Sequence, residues 1–96
     1  MTNRNGLTTL DDEVAAEVRA GIARTPGVSV KRIAEKNDMR RATLSARVNG
    51  HVAFSPSLLS AVAAEIGETA SSIVAMAEAS LERKNEAAQK RSERAA

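Results

Sequence analysis

The 96-residue chain has no cysteine, tryptophan or tyrosine, and only one phenylalanine, one histidine and two prolines. Without cysteine there is no disulfide framework, thiolate metal site or cysteine nucleophile. A lone histidine, His51, cannot supply a multi-histidine zinc site. No apolar run approaches the roughly 20 residues a spanning helix needs, so no membrane partner is expected. The opening MTNRNG carries no apolar segment of the secretory kind. There is no paired-carboxylate arrangement and no glycine-rich phosphate loop, so neither catalysis nor a cofactor or small-molecule substrate is expected.

Hydrophobic residues make up 43% of the chain, but nineteen of them are alanine. The remaining large apolar side chains suffice for one small core. Alanine richness with few prolines favours an all-α chain. The net charge of +2 is unevenly spread: −1 over residues 1–27, +4 over 28–54, −3 over 55–81 and +2 over 82–96. A basic centre between acidic or near-neutral flanks points to a polyanionic partner more directly than total charge does.

Five helical segments follow from periodicity and punctuation. Residues 1–8 read as a disordered arm. Thr9 and Asp12 form a capping pair, and Val14, Val18 and Ile22 recur at helical spacing to Arg24, where Thr25-Pro26-Gly27 stops the helix. Ser29 caps a second, short helix whose inward residues are Ile33 and Ala34, and Asn37-Asp38 ends it with residues that tolerate left-handed backbone. A third helix runs from Arg40 or Arg41 to Val48, with Leu44 and Val48 inward and Asn49-Gly50 as its stop. Ser55-Pro56 opens a fourth, Phe54 and Leu59 stapling its entry, and Gly67 closes it. Thr69 opens a fifth, with Ile73, Val74, Ala77 and Leu81 on one face. Large apolar residues then cease, so 82–96 is expected to be a charged tail, either a fraying helix or disordered.

Two short helices joined by a tight turn, the second ending in Asn-Gly, have the helix-turn-helix layout. The run VSVKRIAEKNDMRRATLSARVNG, followed by SPSLLSAVAAEIGETASSIV, resembles the Cro and lambda-repressor-like (XRE-type) regulators over residues 10–81. The likeness rests on Val28-Ser29, Ile33-Ala34, Arg40 to Ser45, Asn49-Gly50 and Ile66-Gly67. Val30, Asp38, Arg40 and Arg47 depart from it, standing where that family often has Gln, Gly, Ser and an apolar residue.

The resemblance implies a five-helix lambda-repressor-like DNA-binding domain over residues 9–81, with its helix-turn-helix at about 30–48. It implies a sequence-specific, double-stranded-DNA-binding transcription regulator of the repressor or Cro-like kind. Such a protein works in the cytoplasm at the nucleoid of a bacterial or phage-infected cell. Stepping about 100° per residue from the Leu44–Val48 seam puts Ala46 at the front of the third helix. Ala42 and Asn49 lie beside it, Ser45 and Arg47 on the shoulders, and Thr43 between shoulder and front.

Arg41, at the leading tip, is the expected base reader, and the small Ala42 and Ala46 allow close approach to thymine methyls. Lys31, Arg40, Thr43, Arg47, Asn49 and His51 are expected on phosphates, and the amides after Ser29 could present N–H groups to another. Arg47 could equally pair with Glu35 or Asp38, and Ser29 could be a cap alone. A single reading head binds modestly, so a homodimer is expected. Val74, Ala77 and Leu81 either form its surface or close the monomer core. The competing function is a protein-interaction adaptor on the same fold, antitoxin-like or anti-repressor-like, working through the acidic 55–81 stretch.

Overall fold

The computed structural model describes residues 8–95, with side chains as far as residue 91. The expected N-terminal arm therefore lies, apart from Thr8, outside the described residues. The protein is all-α: α1 (Leu10–Arg24), α2 (Val30–Lys36), α3 (Arg41–Val48), α4 (Pro56–Glu65) and α5 (Ala70–Ala95). No single described helix is long and apolar enough to cross a membrane.

Four of the five starts have a side-chain cap, and α3, entered at Arg40, has none. Thr9 and Asp12 form a reciprocal capping box on α1, with Asp11, Asp12 and Glu13 at the positive end of its dipole. Ser29 accepts from the Arg32 amide, Ser55 from that of Leu58 and Thr69 from that of Ser72. The ends follow the same logic. After α3 the Gly50 amide bonds to the Arg47 carbonyl and the His51 amide to that of Ala46, a Schellman closure with Gly50 at φ 81°. The turn between α2 and α3 repeats it without glycine: Asp38 sits at φ 51°, and the Met39 amide reaches the Ala34 carbonyl at 3.0 Å.

The core lies where α1, the α2–α3 pair, α4 and α5 meet. Val18, Leu44, Val62 and Ile73 have no exposed surface, and Ile33 and Ala34 are almost as enclosed. Each such large aliphatic contributes about 1.5–3 kcal/mol by leaving water. Ala34 is small where α2 and α3 converge, and Met39 and Phe54 pack on the core from their loops.

For α5 the structure takes one of the two alternatives that the sequence left open at each of two places. Ala77 has no exposed area and belongs to the monomer core, while Val74 and Leu81 stay half-buried. The segment after Leu81 is helix as far as Ala95. Its anchor is polar: Lys84 donates to both oxygens of Glu13, a carboxylate that is only 4% exposed.

Candidate nucleic-acid interface

The sequence of 28–50 folds into two helices whose inward faces hold each other and whose outward faces are left to charge. Ile33 and Ala34 of α2 and Leu44 and Val48 of α3 are consumed by the core. What remains outside is Lys31 and Arg32 on α2, and Arg40, Arg41, Ala42 and Thr43 at the start of α3, all exposed. Neither helix has an acidic residue in its first turn, so their positive dipole ends are not neutralised locally. Lys31, Arg40 and Arg41 hold no ion pair among the described residues.

The other candidates are placed less freely. Ser29 spends its hydroxyl as a cap acceptor for α2. Asn49 donates to the Ser45 hydroxyl at 3.1 Å, so these two polar groups occupy one another along the flank of α3. Arg47 pairs with neither Glu35 nor Asp38; its guanidinium turns back 2.8 Å onto the carbonyl of Thr43 in its own helix. That position lies one turn earlier on the same helix, which the i, i+4 spacing makes the nearest acceptor.

Ala46 is half-buried rather than at the open front, because the chain after Gly50 folds back on this end of the helix and the His51 and Val52 amides both bond to its carbonyl. His51 is exposed in that loop, beside Val52 at 45% exposure. The open face of α3 is therefore its first turn, Arg40 to Thr43, and not its middle.

Two arginines of consequence have no counterpart among the expected site residues. Arg32, on the exposed side of α2, reaches the Gly27 carbonyl at 3.3 Å. Arg19, on α1, donates to the Val48 carbonyl at the end of α3 over 2.7 Å. Twenty-nine residues separate that pair, and no local pattern in the sequence marks it. Lys36 is committed elsewhere, bound to Glu65 of α4 at 3.1 Å. No group of acidic or histidine side chains among the described residues is arranged to hold a metal ion.

The arrangement is a helix-turn-helix set in an all-α five-helix domain, with its charged face turned outward. Among solved structures the chain is similar to the clp gene regulator ClgR from Corynebacterium glutamicum, with a TM-score of 0.73 at 25% identity over 92% of this chain and 90% of that one. A second crystal structure of ClgR matches with a TM-score of 0.66, again at 25% identity, over 76% of this chain and 94% of the other. No family model matches the sequence, and no curated protein matches it.

Proposed function

We propose that the protein is a transcription regulator that binds double-stranded DNA in a sequence-specific way, laying the first turn of α3 in the major groove. The observation that carries this is the exposed first turn itself: Arg40 and Arg41, unpaired among the described residues, project from the tip of a helix whose opposite side is locked in the core. Likeness to a gene regulator over nearly the whole of both chains supports the same reading.

Arg41 is the base reader, able to bond a guanine edge bidentately, with Ala42 allowing the backbone close to the groove floor. Lys31, Arg40, Thr43 and His51 contact phosphates, joined by Arg32. Arg47 joins them by exchanging its own-helix carbonyl for a phosphate. Ser45, Ala46 and Asn49 flank the groove rather than lead into it. The repressor or Cro-like character belongs to this proposal and is supported by the RRATLS…NG pattern. So does a two-fold dimer that uses the half-buried Val74 and Leu81 beside the exposed Leu10.

The adaptor reading has one observation in its favour. An open apolar groove of about 360 Å³ lies between the starts of α1, α4 and α5, lined by Leu10, Phe54, Leu59 and Val74. Selection of bound duplexes from a random pool separates the two. A recovered motif with two-fold symmetry, and affinity falling steeply with salt, is the expected result. Absence of any duplex binding at low salt would leave the adaptor reading standing and remove this one.

A further inference from the structure

We propose that Arg19, on α1, is a positioning residue for DNA reading: it holds the far end of α3 and so sets the angle at which the tip of that helix meets base edges. This rests on the DNA-binding function proposed above and assigns a role within it to a residue outside the contact face.

The geometry is specific. The last carbonyls of a helix have no partner within it, and the C-terminal end carries a partial negative charge. In α3 the Ala46 and Arg47 carbonyls are answered by the Schellman closure, from the His51 and Gly50 amides. The Val48 carbonyl is answered instead from α1, by the Arg19 guanidinium at 2.7 Å. A charged donor on a carbonyl at this distance is short and strongly directional. Val48 is itself only 4% exposed, while Arg19 is exposed, so the bond lies part-buried at the edge of the core.

The consequence follows from where the directional ties on this helix lie. Leu44 and Val48 fix which face of α3 is buried, but apolar burial is itself non-directional. The near end of α3 is tied to α2 through the Asp38–Met39 turn. Arg19 supplies a directional tie at the other end. Eight residues of helix span only about 12 Å, so a displacement of about 1 Å at that end tilts the tip by roughly 5°. Bidentate base contacts tolerate only a few tenths of an ångström of misplacement. Phosphate contacts are made on any sequence and do not depend on alignment with a base edge, so they tolerate more. Loss of the tie should therefore lower discrimination between sequences while leaving general affinity for DNA nearly intact.

The test uses the full chain, a duplex selected by the wild type, and a scrambled duplex of equal length. Arg19→Met keeps the length and apolar stem of the side chain and removes the donor. The expected result is a fall of about fivefold or more in the selected-to-scrambled affinity ratio, with the slope of log K against log salt unchanged. Arg19→Lys should recover part of the ratio.

An unchanged ratio in Arg19→Met, in a wild type that does discriminate, overturns this inference and leaves the proposed function intact. A slope shallower by about one, with both duplexes weakened alike, overturns it differently, by making Arg19 a phosphate ligand. A wild type that shows no preference for any duplex overturns the proposed function and this inference together. Should Arg19→Met lose its helical circular dichroism, the same two quantities are read on Arg19→Gln, which is too short to reach the carbonyl yet polar enough for an exposed site.

Discussion

Glu13 and Lys84, 71 residues apart in the chain, meet at 2.9 Å where the first turn of α1 faces α5. The Glu13 side chain is enclosed and the Lys84 side chain more than half exposed. Burial pushes the Glu13 carboxyl up, but hydrogen bonds from Lys84, Thr8 and Ser80, together with the Lys84 charge, outweigh burial and hold it below the ordinary value of 4.5. Ala77 is the last residue of α5 in the apolar core, and this pair ties the continuation of the helix to α1.

The pair makes stability depend on acid. The folded carboxyl ionises more readily than the unfolded one, so its contribution is complete above the ordinary value of 4.5 and fades as pH falls through the lower folded value. Glu13→Gln should lower the unfolding free energy at neutral pH by about 1–2 kcal/mol, below the roughly 3–5 kcal/mol of fully buried pairs because the Lys84 side chain is more than half exposed. The difference from wild type should shrink in strongly acidic buffer. Urea unfolding at neutral pH and at about pH 3.5 measures both, and a difference that stays constant with pH would remove the ion pair as its cause.

Asp38 occupies a left-handed position that most non-glycine residues avoid, at φ 51° in the turn between α2 and α3. The same closure after α3 uses Gly50. Asp38→Gly should therefore stabilise the domain by about 0.5–1 kcal/mol, relief of backbone strain exceeding the added entropy of the unfolded chain. Thermal unfolding tests this. A lower midpoint would mean that the Asp38 side chain contributes more than its backbone costs.

Gly21 lies buried in α1, and a Cβ built there would collide with the δ-methyl of Ile66. Alanine normally stabilises a helix interior by about 1 kcal/mol relative to glycine. Gly21→Ala alone should instead destabilise by about 1 kcal/mol, because the Ile66 δ-methyl would have to leave its place in the packed core. In an Ile66→Val background, which lacks the δ-methyl, the same change should become neutral or stabilising. A double-mutant cycle with a favourable coupling above about 1 kcal/mol is the expected outcome; additivity would show that the helices part freely at this point.

What was legible in the sequence was local. Thr9 with Asp12, Ser29, Ser55-Pro56 and Asn49-Gly50 mark helix ends through bonds spanning three to five residues, and the structure has each of them. The inward faces of α2 and α3 were legible for the same reason, since helical period alone sorts Ile33, Leu44 and Val48 from their neighbours. What was not legible depends on the meeting of distant segments. Periodicity marks Ala77 as apolar-facing but cannot say whether the chain or a second copy covers it. A helical wheel treats α3 in isolation and cannot foresee the 51–52 backbone closing over Ala46. Arg19 with Val48 and Glu13 with Lys84 join positions 29 and 71 apart, with no shared motif to link them.

The division of labour on the exposed face is open to direct measurement. Arg41 stands at the tip of α3 and Lys31 on the exposed side of α2, and neither is held by another side chain among the described residues. A base contact exists only on the right sequence, whereas a phosphate contact exists on all. Arg41→Ala should therefore cost about 1–3 kcal/mol on the selected duplex, relax the preference at one base pair, and change scrambled DNA little. Lys31→Ala should weaken both duplexes alike and reduce the salt slope by about one. Titrations at three salt concentrations separate the two patterns. Equal losses on both duplexes for Arg41→Ala would move that side chain to the phosphates and pass the reading of bases to Thr43 and Ala42.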